Sequence, residues 1–312
     1  ANQVIAVRMR EVSRIPVEPV AFRPGTRIRD YATSIVEKIK KMNLEKGTLG
    51  IVNMRVMPAD VYTALRRELP GAVFLSAGEL LLEARRIKSA EEMEFIRMSG
   101  KCADKGVEAV VEAARPGVTE EELAAYCDMA MNKAGGPRGN FILLGSGHWP
   151  EMQGSIGGGG QRRLRKGDLI LNEITSCYGG YYTQLCVPLS LGGDVPDDFL
   201  RLLNIHKAMH KTALDLLRPG NWISEIEERV AEAAASFGEA FRRAWATQST
   251  ELAEAFFKLN TEVKAGMSYV NHPWTELSSG EGFQGHTIGN SCIITEGDPE
   301  VVHKSALDLR IV

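Results

Sequence analysis

Apolar residues recur at Ile28, Tyr31, Ile35, Ile39 and Leu44, the spacing of one helix face, and predict a helix over 27–45. TLGIVNM (48–54) has the pattern of a short buried-type strand, ADVYTALRRELP (59–70) that of a helix closed by Pro70, and AVFLSA (72–77) that of a second strand. Strand and helix alternate as in an α/β layer, which ends near residue 85. The pattern then changes. In EARRIKSAEEMEFIRMSG, Ser89 and Glu92 stand at capping-box spacing, at the head of a long helix running towards Ala114.

Two later stretches share one grammar. EAARPGVTEEELAAYCDMAMNKAGG (112–136) and DLLRPGNWISEIEERVAEAAASFG (215–238) each end a helix at Arg-Pro-Gly and stop a second helix at glycine. The second helices are expected to be capped by Thr119/Glu122 and by Ser224/Glu227. Two such copies between long helices suggest an internal pseudo-twofold duplication; helical hairpins that recur by chance are the alternative. Strands follow the first copy: FILLGSG (141–147), then the hairpin DLILNEITSCYGGYYTQLCVPLSL (168–191). After the second copy, 239–258 has helical spacing at Phe241, Trp245 and Leu252, and strands return in GEGFQGHTIGNSCII (280–294). Each half therefore reads as helices followed by strands.

Composition adds mainly exclusions. The 312 residues suit two domains, and 44% apolar with 25% charged residues is ordinary for a globular chain. A net charge of −3 from interspersed signs argues against a nucleic-acid or anionic-membrane surface. The densest basic cluster, QRRLRKGD (161–168), reads as a solvated turn, and no apolar run approaches the roughly 20 residues of a membrane span. Cys102, Cys127, Cys177, Cys186 and Cys292 are scattered without a CxxC, which favours reduced thiols and a cytoplasmic protein. The chain starts close to an apolar segment and stops in a strand-like ALDLRIV, so both ends are expected to be cut.

Candidate chemistry converges on the hairpin. With an even loop, Glu173 and Gln184 share one face, whether the turn is Gly179-Gly180 or the four residues 177–180; the longer turn sets them directly opposite. Thr175 and Tyr182 lie on that face and Asn172 on the other. Alone, this pattern also describes a half-exposed hairpin with a polar outer side.

In order, RRIKSAEEMEFIR, helix–RPG–helix, GSGHWPEMQG, LRKGDLILNEI, GGYYTQ, a second helix–RPG–helix and GHTIG resemble the pita-bread superfamily. That superfamily comprises methionine aminopeptidases, proline-specific aminopeptidases and dipeptidases, and creatinase. The resemblance implies an α/β (α+β) chain: a pita-bread domain over 85–312, its carboxy-terminal end missing, after a partial creatinase-like α/β domain over 1–84. It implies a hydrolase and a homodimer. The family's peptidases bridge two divalent metals with carboxylates, because adjacent dications need several anionic oxygens.

On the shared motifs, the first family aspartate falls on Glu173, the second on Gln184, and the histidine of GH-x-IG on His286. The upstream histidine has no match. Gln153 and Gly154 are nearest, and His148 is too early. A later catalytic histidine is replaced by Glu296, ahead of Pro299. Glutamine for aspartate removes a charge, so the usual metal pair and any other cofactor are expected to be absent; a single weakly held divalent ion at Glu173 and His286 stays open.

Creatinase implies what such a site does instead, since it cleaves C–N bonds without metal. Glu173 and His286 are the candidate catalytic pair. Gln184, Gln153, Tyr182 and His272, the last where relatives carry a substrate-contacting histidine, are candidate contacts to a small molecule or short peptide. A catalytically silent binding module and an ordinary metal-dependent proline peptidase are the alternatives. His206 and His210, one turn apart, read as solvated on an outer helix.

Overall fold

The computed structural model describes residues 28–136, 140–149, 160–193, 195–237, 242–249, 260–278 and 283–312, with the backbone alone at 28–31, 242–249, 274–278 and 283–287. The chain divides into two compact units, one ending at Arg86 and the other beginning at Ile87. In the first, helix α1 (Ile28–Lys41), strand β1 (Thr48–Ile51), helix α2 (Ala59–Glu68), strand β2 (Val73–Ser76) and helix α3 (Gly78–Arg86) alternate, and β1 pairs β2 in parallel. Its core is Ala32, Val36, Val61, Leu65, Leu69 and Ala72. The strands are not the buried type that their apolar runs suggested: Val73 and Leu75 are about half exposed.

The second unit opens with helix α4 (Ala90–Ala113). The Ser89 hydroxyl accepts the Glu92 N–H at 3.2 Å, and the Glu92 carboxylate accepts the Ser89 N–H at 2.7 Å. The box satisfies two amides that a helix start leaves open. Ser89→Ala is expected to cost about 1 kcal/mol in urea unfolding of the whole chain; no change would assign the helix start to packing alone. Helix α5 (Glu120–Lys133) is boxed in the same way by Thr119 and Glu122.

Strands β3 (Phe141–Gly147), β4 (Leu169–Tyr178), β5 (Tyr181–Leu185) and β6 (Leu189–Ser190) follow. Then come helices α6 (Asp197–Leu216) and α7 (Ile223–Ala235), strands β7 (Arg242–Ser249), β8 (Ser268–Ser278), β9 (Phe283–Thr287) and β10 (Asn290–Ile293), and short β11 (Glu300–Val301) and β12 (Arg310–Ile311). One sheet runs β12-β6-β4-β3 with β5 on β4, and the other β11-β10-β8-β7 with β9 on β8. Each half thus packs a helical hairpin on a sheet of one plan, with Ile170, Ile174 and Leu185 in the first core and Met267, Tyr269 and Cys292 in the second.

The duplication extends to single residues. A lone bridge joins Thr119 to Arg163 in one half and Trp222 to Glu262 in the other. Gly167 and Gly266 both have left-handed φ, +86° and +84°. Each glycine N–H donates across its half, to Leu191 O at 2.8 Å and to Ile294 O at 2.9 Å. The sheets meet where Cys186 and Gly289 exchange backbone hydrogen bonds of 2.9 and 3.2 Å.

Three expectations need correction. The cap of α7 is Trp222 with Glu225, two residues earlier than Ser224/Glu227, because the cap falls two residues after the Arg-Pro-Gly glycine in both copies. Part of the expected helix over 239–258 is β7, paired antiparallel with β8. Phe241 and Trp245 stand four apart, and an even spacing fits a strand as well as a helix. The basic cluster is more than a solvated turn: Arg162 grips fully buried Asp168 through two bonds, of 2.6 and 2.8 Å.

Candidate active site

Gly179 and Gly180, both at left-handed φ (+59° and +88°), make a two-residue turn between β4 and β5. The register sets Gln184 opposite Thr175, so Glu173 is its diagonal neighbour; the directly opposed arrangement of the longer turn does not occur. Gln184 Nε2 donates to Glu173 Oε2 at 3.2 Å and to Thr175 Oγ1 at 3.3 Å. The Gln184 backbone is fixed from the other half, where Ser291 Oγ accepts its N–H at 2.9 Å.

The third member comes through the pseudo-twofold. One step beyond the pair Ile174↔Leu185 lies Glu173 opposite Cys186, and one step beyond Asn271↔Asn290 lies His272 opposite Gly289. Cys186 bridges Gly289, so Glu173 and His272 hold equivalent positions and meet at the seam. His272 Nε2 stands 3.6 Å from Glu173 Oε1. That is beyond a hydrogen bond, and close enough for one atom to contact both.

An asparagine pins the strand before each of these residues. Asn172 Nδ2 donates to Val187 O at 2.6 Å, and Asn271 Nδ2 donates to His210 O at 2.8 Å. Asn172 lies on the opposite face from Glu173, as the alternation required.

Burial sets the electrostatics. Desolvation pushes the Glu173 carboxyl above its ordinary value, against the Gln184 hydrogen bond that lowers it. Desolvation, reinforced by nearby His210, holds His272 down at about 4, so its imidazole is neutral at neutral pH. Cys186 is a protonated thiol, held well above its usual value by burial and then by the Glu173 charge, and so is no thiolate nucleophile. Two polar atoms here are buried without a hydrogen-bond partner among the described residues, Gln184 Oε1 and His272 Nε2. Unpaired buried polar atoms are costly, and a ligand that pairs with them relieves that cost.

Tyr182 shares the face of Gln184, two residues nearer the turn and opposite Cys177. That pairing separates Cys177 from Cys186 along the hairpin, and all five cysteines are free and buried. His286 belongs to β9, where its backbone pairs with Thr275; its side chain, and the whole of Gln153, lie outside the described residues. Glu296 is exposed after β10. His206 and His210, expected to be solvated, are buried: α6 turns this face onto β8, and His210 Nε2 bonds Asn290 Oδ1 at 3.0 Å.

The convergent donors are thus one carboxylate, one amide and one neutral imidazole. Among the described residues, no group of three or more His, Cys, Asp or Glu side chains could hold a metal, and no helix is long and apolar enough to cross a membrane.

Metallopeptidase family M24 matches residues 94–296. The creatinase of Bacillus sp. (strain B-0618) is 29% identical over 212 residues, which are 65% of this chain and 51% of that protein. The chain spans about half the length of the curated relatives it matches. Among solved structures, the Xaa-Pro dipeptidase from Bacillus anthracis superposes with a TM-score of 0.79 at 19% identity, over 99% of this chain and 84% of that one. The X-Pro aminopeptidase from Thermotoga maritima gives 0.76 at 17% identity, over 98% and 85%.

Proposed function

The chain belongs to metallopeptidase family M24 and has its pita-bread fold, and on that premise we propose that it hydrolyses a C–N bond in a small polar molecule or short peptide without the family's metal pair. One observation carries the reading: Glu173, Gln184 and His272 converge at the seam with Gln184 Oε1 and His272 Nε2 buried and unpartnered. Two adjacent dications need several anionic oxygens, whereas these three side chains carry a single negative charge. Gln184 also turns its amide nitrogen towards the carboxylate, where a metal ligand would offer oxygen. The described donors do not fit a dinuclear centre.

They fit acid–base hydrolysis. Glu173 accepts a proton from a water lying between it and His272, and the water oxygen bonds to the substrate carbon. The C–N bond then breaks, and Glu173 returns the proton to the departing nitrogen. His272, neutral in its Nε2–H form, donates to the charge that develops on the substrate. Gln184 Oε1 accepts an N–H of the substrate. Five buried unpaired thiols support a reducing, cytoplasmic setting, and the family resemblance supports a homodimer.

The test is elemental analysis of the purified protein, then turnover of a panel of short peptides and small amides and amidines with and without a chelator. Less than one tightly held ion per chain is expected, with turnover insensitive to chelation. Two bound ions per chain, or activity abolished by chelation and restored by metal, would overturn the reading. Binding at the site without turnover would favour the silent binding module.

A further inference from the structure

His210 has no part in that reaction, yet it is buried within electrostatic reach of His272. Asn290, which accepts its hydrogen bond, directly follows Gly289, and Gly289 is the surface against which His272 rests. A Cβ added at Gly289 would stand 2.6 Å from Asn271 O, 3.0 Å from His272 Cα and 3.1 Å from His272 Cδ2. The space over the Cα of 289 is therefore filled by the Asn271 carbonyl and by the Cα and ring of His272, and only a glycine fits. Its other side is tied to Cys186 by the bridge across the seam. Helix α6 closes the loop, because Asn271 donates to His210 O at 2.8 Å while the His210 ring bonds Asn290 at 3.0 Å.

We propose that His210 and Asn290 are positioning residues, which hold Gly289 as a seat under His272 and so fix the ring at its 3.6 Å approach to Glu173. The side chains meet in one geometry. Asn290 Oδ1 can only accept, so His210 presents Nε2–H to it. Burial also keeps His210 below its ordinary pKa, against the pull of Asn290. The bond is thus a neutral tether between α6 and β10, and it places no positive charge beside His272. Loosening it lets the backbone of 289 shift, and the ring then loses its orientation without losing any direct contact to the substrate.

This inference rests on the site proposed above, and its test keeps the two apart. In full-length protein labelled with 15N-histidine, His272 is assigned by its loss in His272→Gln, and its ring signals are followed in His210→Leu, His210→Gln and Asn290→Ala. Wild type is expected to show one neutral tautomer for His272. His210→Leu and Asn290→Ala are expected to give a tautomer mixture and, where a substrate turns over, about a tenfold fall in kcat with KM within twofold. His210→Gln keeps an N–H for Asn290 and is expected to restore the single tautomer and most of kcat. Unchanged His272 signals in the folded Leu or Ala variant overturn the proposal, as does a Gln variant no better than Leu. If His210→Leu does not fold, Asn290→Ala and His210→Gln decide. Absence of turnover in wild type counts against the hydrolase reading alone, since the tautomer still reports on the seat.

Discussion

Glu173→Gln is expected to lower kcat by about 10³-fold while leaving the unfolding midpoint close to wild type, because general base catalysis contributes roughly 10²–10⁴ and the amide keeps the shape of the acid. Fold and function separate here. Glu173 is mostly buried at 15% side-chain exposure, and an amide there can still face the Gln184 amide and His272. As the proposed base, the same residue is expected to set the acid limb of the pH–rate profile. The base must be ionised, and burial raises its pKa above that of an exposed glutamate, so activity is expected to fall as pH drops through a correspondingly higher midpoint. Removing the carboxylate abolishes that limb. Turnover within tenfold of wild type in Glu173→Gln, or an acid limb that survives it, sinks the assignment of Glu173 as the base.

That assignment shows what the sequence could and could not carry. Strand parity alone placed Glu173, Thr175, Gln184 and Tyr182 on one face, because alternation is a local rule that needs no tertiary knowledge. It left the turn length open, and only the left-handed pair Gly179-Gly180 settles the diagonal. The capping boxes at Ser89 and Thr119 were equally local and are present. His272 was named as a substrate contact, yet its meeting with Glu173 was missed, although the repeat held the signal. Gly167 precedes Asn172-Glu173 by the same interval as Gly266 precedes Asn271-His272, so carrying the duplication on into the strands equates glutamate with histidine. The burial of His210 was not legible. Its neighbours Lys207 and Lys211 make the helix look solvated, and only packing of α6 on β8 shows which stripe is covered.

The seam also bears on the electrostatics of the proposed site. Two sheets of one plan meet edge to edge at Cys186 and Gly289, so whatever β4 and β8 carry at 173 and 272 is brought together with little water. Two carboxylates at such equivalent positions would repel in a low dielectric unless cations lay between them. A carboxylate facing a neutral imidazole needs no such cation, and the Gln184 amide satisfies one carboxylate oxygen. The chemistry proposed for the site and the stability of the seam therefore have one electrostatic cause.

That cause predicts a marked acid lability, expected as a loss of several kcal/mol of unfolding free energy between pH 6.5 and pH 4. His272 and His303 are both held at about 4, chiefly by desolvation, against about 6.5 for an exposed histidine. The folded state therefore resists protons that the unfolded chain takes up. Stability is full above 6.5 and is lost as pH falls towards 4, by roughly 3 kcal/mol per imidazole. His210, also lowered by burial, adds in the same direction, whereas Glu173, whose pKa is raised, works against it. His303 isolates the effect from catalysis. Its ring lies near the backbone of Gly100 and Gln184, with Asp104 close by, yet among the described residues neither nitrogen has a hydrogen bond of ordinary geometry. His303→Leu thus removes a buried titratable group at the cost of only weak contacts to the backbone of Gly100 and Gln184. It is expected to match or exceed wild-type stability at pH 7 and to lose about half as much on acidification to pH 4.5, measured by urea unfolding at both pH values. A wild type equally stable at both, or a Leu variant with the full acid loss, would show that these imidazoles are not buried neutral in the folded protein.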